Sequence, residues 1–174
     1  MTPFRVIAFA AALVFSAPAA HARPPEVELM SPTATQVGEA RYQVLAWPIF
    51  DAALWSETGA FAWDTPFALV LTYRRSFSAQ ALTNRTLFEM SRRGGGDAAS
   101  LEPLAAPLRE CFADIAPGDR ITGVSTGTTT ARFYFNGRQS CEIEWPGFRR
   151  AFFGIWLDAS GSGRAMSDQL TGRA

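Results

Sequence analysis

The sequence predicts an α+β fold built on an antiparallel sheet, and three observations carry that reading. Strand-like runs flank a helical middle, a tight-turn signal joins two of them, and helical segments close the chain. From 38 to 55 the residues read as strand, through Arg41-Tyr42-Gln43-Val44-Leu45-Ala46-Trp47 and Ile49-Phe50-Asp51-Ala52-Ala53-Leu54-Trp55. Pro48 offers no amide to a ladder, so the middle of that run is an edge, a bulge or a bend. Ser56 to Pro66 is loop, although it carries Phe61 and Trp63. Phe67 to Tyr73 is almost continuously apolar, the pattern of a buried strand. Ser78 caps a helix running to about Arg92, where Gly94-Gly95-Gly96 stops it. A second helix spans Leu101 to Phe112, bent or delayed by Pro103 and Pro107.

Pro117-Gly118-Asp119 is a turn that leads into a strand from Arg120 to Val124. Ala131 to Phe135 and Arg138 to Ile143 flank Asn136-Gly137, the pair that supplies two left-handed residues to a hairpin turn. Phe148 to Leu157 is an aromatic-rich helix, and Ser162 to Leu170 a second C-terminal one.

The beginning of the chain reads as a secretory leader. Arg5 supplies the positive charge, Val6 to Ala17 is apolar, and Ala20-His21-Ala22 is a small-residue cleavage site. The apolar run falls short of the roughly 20 residues a spanning helix needs, and no Cys follows the cleavage point. The expected organisation is a signal peptide over 1–22, an extended, proline-punctuated segment over 23–36 and a single domain over 37–174. A periplasmic or secreted protein without a transmembrane segment follows.

Cleavage there would leave a chain with neither histidine nor lysine, since His21 is the only His and every basic residue is Arg. That excludes imidazole proton shuttles, histidine-bound zinc and lysine Schiff bases. Without Arg5, fifteen of the 16 basic residues face 16 acids. This balance, with no basic run longer than a pair, speaks against a nucleic-acid partner. Arg93-Gly94-Gly95-Gly96-Asp97 lacks the lysine and the strand-loop-helix setting of a phosphate cradle. Glu142 and Glu144 share one strand face, either as a carboxylate pair or as an exposed face, and Asp114 and Asp119 are too isolated by turns to suggest a metal site. No cofactor is expected. Cys111 and Cys141 are either a disulfide, permitted outside the cytoplasm, or two buried thiols.

Several segments together resemble the chalcone isomerase-like proteins of bacteria, the secreted branch of the chalcone isomerase fold. They are Gly38-Glu39-Ala40-Arg41, Phe50-Asp51-Ala52-Ala53-Leu54-Trp55, Phe67 to Arg75, Phe88-Glu89-Met90, Pro117-Gly118-Asp119-Arg120, Phe133-Tyr134-Phe135-Asn136-Gly137 and Phe152-Phe153-Gly154-Ile155-Trp156-Leu157. Their order covers nearly all of residues 37 to 172. The resemblance implies an open-faced β-sandwich, a large antiparallel sheet with helices packed on one face around an apolar cleft.

It also implies a site. The family's substrate-facing arginine falls on Arg41, which can instead be a strand-end residue paired with Glu39 or Glu57. Leu82 and Glu89 stand where the plant enzymes have tyrosine and asparagine, and both departures count against plant-type flavonoid chemistry. Tyr73 can supply a phenol or merely reach the surface. Arg85 and Glu89, four apart on one helix, form either a surface pair or a charged element of the cleft. Trp47, Phe50, Phe88, Phe152 and Trp156 are core residues first and cavity wall second. The implied function is non-catalytic binding of a small amphipathic ligand of the fatty-acid type, its polar end anchored by Arg41. The alternatives are an isomerase or intramolecular lyase using arginine to stabilise an oxyanion, and a partner protein in an envelope complex.

Overall fold

Six strands form one antiparallel sheet in which chain order is also spatial order. They are β1 (Thr35–Val44), β2 (Trp47–Ser56), β3 (Phe67–Tyr73), β4 (Arg120–Ser125), β5 (Thr130–Phe135) and β6 (Arg138–Glu144). The helices are α1 (Pro25–Met30), α2 (Ala79–Arg92), α3 (Ala98–Leu101), α4 (Ala105–Cys111), α5 (Phe148–Leu157) and α6 (Arg164–Leu170). The computed structural model describes residues 22–159 and 163–174, so nearly all of the expected leader and Ser162 lie outside the described residues.

The period-2 alternation of the strands divides their side chains between two faces. Ala52, Leu54, Phe67, Leu69, Leu71, Ile121, Phe133 and Ile143 point toward α2, α4, α5 and α6 and form the main core. Phenylalanine fills it: Phe133 meets Phe152 edge-on at 5.1 Å, and Phe67 meets Phe153 at 5.0 Å. Such edge-to-face pairs add about 0.5–1.5 kcal/mol each beyond area burial. On the opposite face Val27, Ala34, Trp55, Ala68, Val70, Val124 and Tyr134 form a smaller cluster beneath α1. This second cover explains why β3 is apolar at almost every position.

Two sequence expectations need correction. The segment 23–36 is not simply extended, because α1 occupies Pro25–Met30 and β1 starts at Thr35. Proline at the first helical position gives up an amide that would be unpaired anyway, so Pro25 opens the helix rather than preventing it. The run from 38 to 55 is not one strand with a bend at Pro48. It belongs to a hairpin in which Val44 pairs with Trp47 across a two-residue turn.

That turn is made by Leu45 and Ala46, with φ of 49° and 68°. The second hairpin, between β5 and β6, uses Asn136 and Gly137 with φ of 49° and 86°. The left-handed backbone is nearly the same, but a Cβ there costs about 1–2 kcal/mol per residue. Asn and Gly largely avoid that cost; Leu and Ala do not.

The α2 boundaries follow their local signals. The Ser78 hydroxyl accepts from the Ala81 amide, and the chain reverses at Gly94, φ 79°, with the Gly95 amide donating to the Met90 carbonyl. The predicted helix over 101–112 is broken instead into α3, a 3₁₀ turn over Glu102–Leu104 and α4, with Pro103 at the start of the 3₁₀ turn. Buried Arg149 ties the 57–66 loop to α5, donating to Ser125 Oγ at 2.7 Å and to the Trp63 carbonyl.

Cys111 and Cys141 are joined as a disulfide, Cα atoms 5.1 Å apart, linking the end of α4 to β6. Closing 30 residues of chain stabilises the fold by about 3–4 kcal/mol on the chain-entropy model. Reduction with dithiothreitol is therefore expected to lower the calorimetric melting midpoint by about 6–16 °C. A midpoint unchanged on complete reduction would contradict this.

A cleft with a cationic end is the candidate functional site

The strand ends nearest the Leu45–Ala46 turn, one face of α2, and parts of α5 and α6 enclose a cleft of about 500 Å³. Its apolar wall grows from strand pairing. Tyr42 lies opposite Phe50 and Phe50 opposite Tyr73, so three rings from three strands stand side by side. Tyr42 stacks on Phe50 at 5.2 Å, and Phe50 and Tyr73 are 5.8 Å apart. Phe77, Leu82, Ile155, Trp156 and Met166 continue the wall.

The polar end is made by α2. Residues 82, 85, 86, 89, 92 and 93 recur at helical spacing and all reach the cleft. Glu89 is buried, its side chain only 8% exposed, and meets three guanidinium groups: Arg85 at 2.6 Å, Arg92 at 2.9 Å and Arg93 at 3.6 Å. Three cations against one anion leave this end positive by two charges. Burial pushes the Tyr73 phenol far above its ordinary value of 10.0. Tyr73 therefore remains a neutral phenol rather than a base.

The sequence-predicted residues divide accordingly. Tyr73, Leu82, Arg85 and Glu89 line the cleft. Arg41 does not, which corrects the expectation that it anchors a ligand there. Strand alternation sends Ala40 and Tyr42 toward the helices and Arg41 to the outer face. There its Nε meets Asp51 Oδ1 at 2.5 Å, and Arg74 takes the other carboxylate oxygen. The partner is thus the cross-strand residue Asp51, not Glu39 or Glu57. Against the upward push of burial, Arg41 and Arg74 hold the Asp51 carboxyl below its ordinary value.

Trp47 and Phe88 are also outside the cleft. Trp47 is 62% exposed beside the turn with Arg75 stacked over it at 4.6 Å, and Phe88 is 56% exposed with Arg85 above its ring. Phe152 belongs to the core, whereas Phe50 and Trp156 are cleft wall. Sequence reasoning missed Arg92 and Arg93. Their spacing from Arg85 and Glu89 carried the signal, since i, i+4, i+7 and i+8 fall on one helix face.

Chemically the arrangement suits holding an anion. Guanidinium groups stay charged and pair with a carboxylate in fixed fork geometry. Among the described residues no group of three or more His, Cys, Asp or Glu side chains is placed to hold a metal ion, and no helix is long and apolar enough to cross a membrane.

The sheet, the helix layer and the cleft between them define a chalcone isomerase-type open-faced β-sandwich. No family model and no curated protein matches the chain in sequence. Solved structures do match, among them the Arabidopsis thaliana fatty-acid binding protein AtFAP1, which shares this fold. That alignment covers 80% of this chain and 87% of the other, with a TM-score of 0.62 and 7% identity.

Proposed function

We propose that the protein is a non-catalytic binder of a small anionic amphiphile of the fatty-acid class, working in the periplasm or outside the cell. The observation that carries this reading is the pairing of an apolar, aromatic wall with an excess of arginine at one end of a single cleft. Its volume lies within the roughly 300–1,000 Å³ of small-molecule sites. An acyl chain would lie along Phe50, Tyr73, Leu82 and Trp156. Its carboxylate would join Glu89 among Arg85, Arg92 and Arg93, bringing the local charge from plus two to plus one. The fatty-acid binding of a protein with the same fold supports the reading, and the leader-like N-terminus supports the location.

Native mass spectrometry of gently purified protein is expected to show a co-purifying acyl chain. Titration with dodecanoate should give an affinity that falls about 10-fold in Arg85→Ala/Arg92→Ala, since charge-assisted hydrogen bonds contribute about 1.5–3 kcal/mol and these half-exposed arginines are screened by solvent. Arg41→Ala should leave it unchanged. Dodecanoate that neither binds nor raises the melting midpoint would overturn the proposal.

A further inference from the structure

We propose that the β1–β2 turn is a membrane-contact element that docks on the anionic headgroup surface of a lipid bilayer, beside the mouth of the cleft. Four exposed apolar or aromatic side chains cluster there in sequence: Tyr42, Val44, Leu45 and Trp47, with Leu45 89% exposed. Leu45 does nothing for the fold that asparagine would not do better. The same backbone turn occurs in the same sheet as Asn136-Gly137, and the β1–β2 turn uses Leu45 and Ala46 instead at a conformational cost. An apolar residue held in solvent at a strained tip points to a surface that receives it.

Charge identifies that surface. Arg75 lies over the Trp47 ring and, among the described residues, has no carboxylate partner. The residues lining the cleft and the depression at the turn include Arg75, Arg85, Arg92 and Arg93 against Glu89 alone, a net charge of plus three. A tryptophan with a cation beside it, next to a protruding leucine, matches the headgroup-acyl boundary of an anionic bilayer. Val44 and Ile49 line both the turn depression and the cleft, so the docked tip opens directly onto the site. This route for ligand exchange rests on the binding function proposed above; the docking itself does not.

The test is sedimentation of the leader-free chain with phosphatidylcholine vesicles, with and without phosphatidylglycerol at one quarter. Wild type should bind the anionic vesicles, weaken with added salt, and bind pure phosphatidylcholine at least 10-fold less. Leu45→Asn/Ala46→Gly should lose about 10-fold in vesicle affinity while its melting midpoint rises, because the turn then matches its counterpart. Trp47→Ser should lose vesicle affinity as well. Wild type that ignores anionic vesicles, or variants that bind them equally well, would overturn docking. So would a concentration-dependent dimer abolished by Leu45→Asn/Ala46→Gly, which would assign the tip to a second copy of the chain. Dodecanoate titration separates the two proposals: if it still binds while vesicles do not, docking alone fails, and the converse removes the cleft reading alone.

Discussion

Gly38→Ala is expected to destabilise the protein by about 4 kcal/mol or more, at the upper end of what single substitutions do. A Cβ built at Gly38 lies 2.1 Å from the Gln169 carbonyl oxygen and 2.7 Å from that of Leu170. Both atoms are backbone at the end of α6, so no side-chain rotation relieves the overlap. Either α6 lifts from β1 or β1 shifts at its bulge next to Gly38, and each route strips cover from the core around buried Leu170. For a domain of this size the melting midpoint should fall by about 8–16 °C, at roughly 2–4 °C per kcal/mol. A midpoint within 2 °C of wild type would show that α6 is not anchored as described. Gly94→Ala is the informative contrast, since nothing lies within 4 Å of a Cβ there and only its positive φ penalises the change.

Loss of Glu26 is expected to cost about 3–5 kcal/mol, because removing one partner of a buried ion pair leaves the other without compensation. Glu26 is fully buried under the sheet, accepting from Arg120 Nε at 2.8 Å, Arg120 Nη2 at 3.2 Å and Thr122 Oγ1 at 2.6 Å. Burial pushes its carboxyl upward, but the bonds from Arg120 and Thr122 outweigh that and hold it below the ordinary value of 4.5. The unfolded chain therefore binds this proton more readily than the folded one. The stabilisation is complete above the ordinary value and disappears as pH falls through the lower folded one. Urea unfolding of wild type should lose stability steeply below about pH 4.5, and Glu26→Gln should flatten that limb. Some acid dependence remains in the variant, since Asp51 is held low with the same sign. An equally steep limb in Glu26→Gln would remove Glu26 as its source.

Much of the architecture was legible because its signals are local. Ser78, the glycines after Arg92, the apolar run from Phe67 and the Asn136-Gly137 turn each determine an element without reference to distant residues. The first hairpin was not legible, because Leu45-Ala46 carries none of the residues that left-handed turns ordinarily use. α1 was hidden by Pro24-Pro25, which suits an extended chain as well as a helix start. The site was half visible. The resemblance singled out Glu89 and helical spacing paired it with Arg85, without deciding between surface and cleft, whereas Arg41 was placed by resemblance alone. Its face depends on strand parity, and a register irregularity close by, between Tyr42 and Gln43, makes that parity hard to read from the sequence. The disulfide was undecidable for a related reason: thirty residues of separation say nothing about whether two Cα atoms come within bridging distance.

The Cys111–Cys141 bridge fastens the helix layer to the sheet at β6, one edge of the six strands. At the other edge the two layers meet through the non-covalent packing of α6 on β1, with Gly38 lying directly against the α6 backbone. The two layers are thus held covalently at one margin and by backbone-close packing at the other. Only the first of these fastenings responds to redox conditions, so a reducing environment would release the covalent tie at β6 and leave the α6–β1 packing as it is.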